Sequence, residues 1–480
     1  MKKILATALL TSCLFLHVPA VSALGEEKFV FEAKDKEPTE AFKGSFEVPE
    51  NRNNPNSRMI PIKYVRFPAT GENAGPPIVY LAGGPGGSGI RTAKYRRFDM
   101  FMALRAYSDV IALDQRGTGA SDILPKCVSS QQVSETEQTS DEVFIKKHRD
   151  ALVECLAYWK AEGVDVAGYN TVENAKDLEA LRQHLGAKKV TLWGTSYGSH
   201  LAFAAIKQME DKIDKVILSS AEGLNQTIKM PWRTDAYFDR LQVAVDSQPD
   251  AKAAYPDIKA LMRRVHDKLE KHPMPLKLQM HGGSTVDFLL QRRGIQLLAT
   301  GAVSDPQWAA MLLGLYLAVD HDLTPLLEKT LGRFMDVGQP ITLRAMSNAM
   351  DIASGMTEDK KKEIAEQAQT ALLKDYLNFT YHYDGIAPEL DLGDDFRAKP
   401  VSNIPVLLFS GTLDGRTYIE SQKEAVAGLT NLTAITVENA GHNLYMSSPE
   451  VQTAINRFME GKPVLKQIVT IELPNMAPPK

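Results

Sequence analysis

The stretch Val190-Thr191-Leu192-Trp193-Gly194-Thr195-Ser196-Tyr197-Gly198 decides the reading of the whole chain. A short apolar run enters Gly-x-Ser-x-Gly, and residues 199–209 continue with the periodicity of a helix. A strand that turns at once into a helix needs small residues at 194 and 198, because the backbone folds back on itself there. The turn leaves the Ser196 hydroxyl standing at the helix N-terminus. A bare Gly-x-Ser-x-Gly also occurs as a glycine-lined helix start, but the strand before it and the helix after it favour a nucleophile.

Working outward, strand candidates fall at 59–67, 78–82, 110–114, 190–194 and 216–219, separated by helical stretches. That alternation is the sign of an α/β fold, a mostly parallel sheet covered by helices. Several candidates end in Gly, Asp or Ser, where open sheets of this kind bind their ligands. Residues 223–400 differ in texture: rich in Met, Leu and Ala and helically periodic, they read as an inserted, mainly helical domain with a hairpin candidate at 276–288. The strand texture returns at 405–411 and 432–437. The core is therefore split into 24–222 and 401–463, and 464–480, with Pro474, Pro478 and Pro479, reads as a surface tail.

A serine hydroxyl is a poor nucleophile at neutral pH and requires a histidine base oriented by a carboxylate. On a strand–elbow–helix fold the chain order is serine, acid, histidine. His442, in Asn439-Ala440-Gly441-His442-Asn443, is the one histidine after residue 382. Asp414 follows the strand candidate 405–411. Glu420, Glu424 and Glu438 are the alternatives; the first two fall on a helical stretch and the third ends a strand too near His442. Attack on a carbonyl also needs oxyanion donors. Tyr197 N–H, just after the nucleophile, is one. Gly84 N–H, in Leu81-Ala82-Gly83-Gly84-Pro85-Gly86-Gly87-Ser88-Gly89, is the other. A glycine-rich loop can also cradle phosphate, but the Gly-Lys-Ser/Thr of that pattern is missing here. Asp114-Gln115-Arg116-Gly117-Thr118-Gly119 is expected to brace the site through Arg116. His281-Gly282-Gly283 imitates an oxyanion loop from inside the inserted domain, and His200 reads as a helix residue packed near the elbow.

The 480 residues are 44% hydrophobic and 24% charged, a globular balance that excludes disordered and collagen-like chains. Fifty-nine acidic against 55 basic side chains leave a formal charge of −4, without the basic footprint of a nucleic-acid binder. Lys2 and Lys3, an apolar run over 4–18 and Val21-Ser22-Ala23 read as a signal peptide over 1–23, so the chain is expected to be exported, periplasmic or secreted. A rival reading takes Leu10-Thr11-Ser12-Cys13 as a lipoprotein box. No later apolar run reaches the roughly 18 residues of a membrane span. Once the leader is removed, Cys127 and Cys155 remain and are expected to pair in an oxidising compartment, with two buried thiols as the alternative. No ligand set suggests a metal, and no cofactor is expected.

Taken together, Gly83-Gly84-Pro85-Gly86-Gly87, Asp114-Gln115-Arg116-Gly117-Thr118-Gly119, Gly194-Thr195-Ser196-Tyr197-Gly198, Gly411-Thr412-Leu413-Asp414-Gly415-Arg416-Thr417 and Gly441-His442 resemble the α/β-hydrolase family of proline iminopeptidases and, more closely, secreted tripeptidyl aminopeptidases. The resemblance implies an α/β-hydrolase fold with an inserted helical cap, Ser196 as nucleophile, Asp414 and His442 as its partners, and Gly84 and Tyr197 as oxyanion donors. It further implies an aminopeptidase acting on short peptides, with the cap as a lid. Ala82 stands where the family loop commonly has His, and 380–384 reads Thr-Tyr-His-Tyr-Asp where some relatives carry a cysteine. Selecting an N-terminal ammonium in a closed pocket demands carboxylates; Glu222 is the first candidate and Asp384 the second. A carboxylesterase or lactone hydrolase using the same triad, or a non-catalytic binding protein on the same fold, are the alternatives.

Overall fold

In chain order the strands are β1 (Glu27–Phe31), β2 (Thr39–Pro49), β3 (Met59–Phe67), β4 (Ile78–Leu81), β5 (Val110–Asp114), β6 (Cys127–Val128), β7 (Val190–Ser196), β8 (Ile213–Ala221), β9 (Met274–Gln279), β10 (Thr285–Leu290), β11 (Thr342–Leu343), β12 (Val406–Gly411), β13 (Leu432–Glu438) and β14 (Ile468–Thr470). The structure is a computed structural model that describes residues 24–335 and 337–478; the leader and its Cys13 box lie outside the described residues. Ten strands form one sheet in the order β1-β2-β3-β5-β4-β7-β8-β12-β13-β14. Pairing is antiparallel from β1 to β5 and parallel from there to β14. β4 and β5 are buried along their whole length, as expected for central parallel strands covered on both faces. The fold is thus the α/β arrangement expected from the sequence.

Two edges differ from the expectation. β1 places Glu27 and Lys28 ahead of Phe29-Val30-Phe31, and β2 alternates exposed with buried or partly buried positions from Phe42 onward, so one face is wetted and no long apolar run announces either strand. At the other edge, residues 464–478 do more than run over the surface. Val469 is buried as β14 pairs with β13, and Met476 is buried among the helices that follow β8. Gln248 holds this end on both sides, donating to the Pro474 carbonyl at 2.8 Å and accepting from Met476 N–H at 2.9 Å. An edge strand of three residues flanked by prolines is too short to show a period-2 pattern.

Between β8 and β12 the chain is mainly helical, with the β9–β10 hairpin at its expected place. The segment packs in two directions. Residues 237–331, with Leu372 and Leu373, build a core of their own that also takes in Leu413, Tyr418 and Met476. Helix Ala345–Ser354 instead joins the core beside helix Tyr197–Met209, through Ala345, Met346, Ala349 and Met350. β11, at the start of that helix, pairs with β6, and Cys127 of β6 is disulfide-bonded to Cys155. The expected pairing of the two cysteines is therefore present, with 28 positions between them.

Replacing both cysteines by serine should lower unfolding free energy by about 3 kcal/mol, read by urea denaturation, since a loop of that length loses its cross-link in the unfolded chain. Gly198 packs so closely that an added Cβ would collide with the Leu81 carbonyl oxygen, whereas one at Gly301 meets nothing within 4 Å. Gly198→Ala should therefore cost about 3 kcal/mol. Gly301→Ala, inside helix Arg292–Ala302, should gain up to about 1 kcal/mol in the same measurement.

Candidate active site

Ser196 ends β7 and caps helix Tyr197–Met209 with φ 54° and ψ −129°, a conformation that L-residues seldom adopt. Glycines permit it from three sides. A Cβ at Gly194 would lie 2.5 Å from the Gly198 carbonyl oxygen, one at Gly198 would strike Leu81, and one at Gly83 would lie 2.9 Å from the Thr195 carbonyl oxygen. The loop after β4 therefore lies directly against Ser196: that same Gly83 position is 3.0 Å from Ser196 Cβ and 3.6 Å from Ser196 Oγ. Gly84, with φ +131°, carries the loop onward through a conformation suited to glycine.

Asp114 fixes this loop from below. Its Oδ1 accepts from Ser88 Oγ at 2.6 Å and Ile90 N–H at 3.0 Å, while Oδ2 accepts from Ala120 N–H at 2.7 Å. Gln115 Nε2 adds a bond to the Ala82 carbonyl at 3.0 Å. Arg116 points away from the site. Fully buried, it donates from Nε and Nη2 to Asp177 at 2.7 Å each and from Nη1 to the carbonyls of Glu50 and Gly168.

Asp414 and His442 follow the ends of β12 and β13. His442 Nδ1 lies 3.0 Å from Asp414 Oδ2 and 3.1 Å from Oδ1. Asp414 also accepts from Thr417 Oγ1 at 2.6 Å and from the backbone N–H of Arg416 and Thr417 at 2.8 Å each. Burial alone would raise this carboxyl, but the His442 charge and the bonds from His442 and Thr417 outweigh it and hold it at about 2. Thr417 Oγ1 is also 3.4 Å from His442 Nδ1. The sequence reading named Asp414 and His442 and missed Thr417; its signal was the Asp-x-x-Thr spacing, which places a hydroxyl back over the carboxylate.

The loop that carries His442 is tied to the centre of the sheet. Ser196 pairs in register with Ala221, and the adjacent Ser220 donates its hydroxyl to the His442 carbonyl at 2.8 Å. Tyr445 OH donates to the Gly194 carbonyl at 2.5 Å. From the helical segment, Ser304 O accepts from His442 N–H at 2.7 Å and Val303 O accepts from Gly415 N–H at 2.9 Å. Asp414 and His442 are thus hydrogen-bonded to each other at the carboxyl rim of the sheet, the same rim that carries Ser196, Tyr197 and the Gly84 loop.

The two acids suggested for amine binding are already occupied. Glu222 is 8% exposed and bridged to Lys229 Nζ at 2.6 Å; Asp384, 40% exposed at its side chain, is paired with Lys361. A third carboxyl was not found from sequence. On helix Ala345–Ser354, positions 347, 351 and 354 share a face. Ser347 Oγ lies 2.5 Å from where a Gly86 Cβ would stand, and Ser354 Oγ is 3.3 Å from His200 Nε2. Asp351, between them, lines a cavity of about 350 Å³ together with Asp384 and Ile228. Its one hydrogen-bond partner among the described residues is Thr380 Oγ1, at 3.4 Å. Burial, reinforced by the negative charge of Glu222, pushes its carboxyl up to about 7. A single Asp on an amphipathic helix carries no sequence signal of this kind. His281 lies exposed in the β9–β10 turn, far in role from the rim, and His200 is buried between Gly223 O and Ser354, its imidazole pushed down to about 4 by burial.

Serine protease Hip1 of Mycobacterium tuberculosis is 30% identical over 203 residues, 40% of this chain and 38% of that protein. The tripeptidyl aminopeptidase of Streptomyces lividans is 27% identical over 194 residues, 37% of this chain and 34% of that protein. The matches span little more than a third of either relative. The family model described as alpha/beta hydrolase fold matches residues 76–449, from the strand before the glycine loop to beyond His442. The chain belongs to the α/β-hydrolase fold family.

Proposed function

We propose that the protein is an exported serine aminopeptidase that releases residues or short peptides from free N-termini through an acyl-enzyme. The observation that carries the chemistry is the Asp414–His442 pair, held at the same rim of the sheet as a serine in the elbow conformation. His442 Nε2 takes the proton from Ser196 Oγ as that oxygen attacks the peptide carbonyl, and returns it to the leaving amine. Asp414 keeps the imidazole proton on Nδ1 and stabilises the charged ring, with Thr417 fixing the carboxylate. Tyr197 N–H and Gly84 N–H receive the oxyanion. Water then attacks the ester by the same route. The buried disulfide supports an oxidising compartment, and no described helix is long and apolar enough to cross a membrane.

The amine end of the reading rests on Asp351. A carboxyl taken out of water without a cation is costly, and a substrate ammonium supplies that cation. Glu222, already paired with Lys229, adds negative potential from behind, and Asp384 stands on the opposite wall of the same cavity. The helical segment above the rim acts as the lid that keeps long chains out.

Ser196→Ala should lower turnover on the order of a millionfold and abolish labelling by a fluorophosphonate probe, with the fold intact by circular dichroism. A peptide library with free and acetylated N-termini, read by mass spectrometry, should show cleavage only of the free set. Equal cleavage of both, with simple acetyl esters preferred, would replace this reading with the esterase one, and failure of Ser196 to label would favour a binding protein. Asp351→Asn should raise KM for free N-termini about tenfold. In the wild type, KM should fall as pH rises through about 7, because the carboxyl must ionise to hold the ammonium, and the variant should lose that limb.

A further inference from the structure

A cavity of about 570 Å³ lies between helices Pro231–Asp246, Glu358–Ala368 and Ile419–Ala425. Its inner wall is Thr417, the residue that donates to Asp414, so it reaches the candidate site from the side of the acid loop. Ile228 lines both this cavity and the one that holds Asp351. The two spaces are neighbours across one buried apolar side chain.

Three cations line the larger space. Arg233 is bridged to Glu424 at 2.5 Å, and Lys229 to Glu222 at 2.6 Å. Lys360 is different: its ammonium donates to the Asn225 carbonyl, and no carboxylate among the described residues pairs with it. The acids on the walls are engaged elsewhere, Glu420 with Arg240 at 3.0 Å and Glu363 with Gln367 at 2.8 Å, and Asp359 is exposed at the rim. Burial, with Lys229 and Arg233 close by, pushes the Lys360 amine down to about 7. Its neighbour Lys361 turns to the other cavity and pairs with Asp384. A partly buried ammonium bonded to one carbonyl has no carboxylate partner among the described residues, as Asp351 has no cation paired with it there on the other side of Ile228.

We propose that this cavity is a carboxylate subsite, in which Lys360, flanked by Lys229 and Arg233, binds an anionic group of the peptide whose N-terminus lies across Ile228 at Asp351. The inference rests on the aminopeptidase reading and narrows its substrates to peptides that carry a negative group close to the free amine. An acidic side chain on a released residue and the C-terminal carboxylate of a very short peptide have the same chemistry. Either would complete the ion pair that Lys360 lacks.

The test compares kcat/KM for matched peptides with Glu or Gln at each of the first three positions, and with a C-terminal acid or amide. The wild type should favour one carboxylate-bearing set over its neutral partner by about tenfold, and the favoured set identifies the source of the carboxylate. Lys360→Met should bring that ratio to about one, Lys360→Glu should invert it, and Lys360→Arg should keep it, with near-UV circular dichroism reporting the fold. No preference in the wild type, or a preference that survives Lys360→Met, overturns the subsite. If no peptide is turned over, the aminopeptidase reading fails by itself. Calorimetric binding of the same peptides to Ser196→Ala and to Ser196→Ala/Lys360→Met then decides the subsite: a carboxylate preference lost in the double variant supports it, and equal binding of acids and amides refutes it.

Discussion

The backbone at Ser196 is the constraint on which the rest of the site depends. A non-glycine residue at φ 54°, ψ −129° costs on the order of 1–3 kcal/mol and persists only where its surroundings allow no other path. Here the surroundings are backbone on every side. Gly194 meets the carbonyl of Gly198, Gly198 meets that of Leu81, and Gly83 meets that of Thr195, each too close for a Cβ. Relaxing the serine would push β7, β4 and the elbow helix apart, which means opening the buried centre of the sheet. The strain is small beside the packing that enforces it.

Held this way, Ser196 needs a loop that can rest on it without shifting, and the buried polar groups after β5 supply one. Asp114 gathers three donors from two separate loops, so the glycine loop and residues 119–121 cannot move independently. Arg116 anchors the other end. A buried guanidinium is costly if any donor lacks a partner. This one is divided between the Asp177 carboxylate and the backbone carbonyls of Glu50, Gly168 and Pro49, and Arg52 bonds to Glu173 and shares Asp177 Oδ1 with Arg116. The network adds rigidity behind the site.

Legibility followed local signals. The elbow, the Asp114–Gly119 loop, Asp414 and His442 were readable because each combines a strand end with residues that a tight turn or a proton transfer requires. Both hairpin strands and the central strands were readable for the same reason: period and punctuation agree within a few residues. β1, β2 and β14 were not, since edge strands are half wetted or too short. Glu222 and Asp384 were reasonable choices from type and position, but the counter-ions that occupy them come from residues 7 and 23 positions away, which sequence does not pair. Asp351 and Lys360 were invisible for the opposite reason. What singles them out is a missing partner, and an absence in space leaves no mark on a chain.

The helical segment's divided allegiance limits how such a lid can open. Its larger part shares a core with Leu413 and Tyr418, which flank Asp414, and its turn at 303–304 accepts hydrogen bonds from the backbones of both the acid and the histidine loops. A rigid swing of that part would pull Leu413 out of its packing and carry Asp414 away from His442. It behaves as a fixed wall. Helix Ala345–Ser354 is tied differently, to the sheet through Met350 and Tyr197 and to β6 through β11, with the disulfide securing β6. What remains between these two anchored bodies is residues 355–371 with helix Glu358–Ala368, which is held by the buried Ile364, by Gln367 accepting from Trp232 N–H at 3.1 Å and by Lys361 paired with Asp384. That helix carries Lys360 and Lys361 to the two neighbouring cavities, so even the short element between the anchored bodies is pinned on its apolar face.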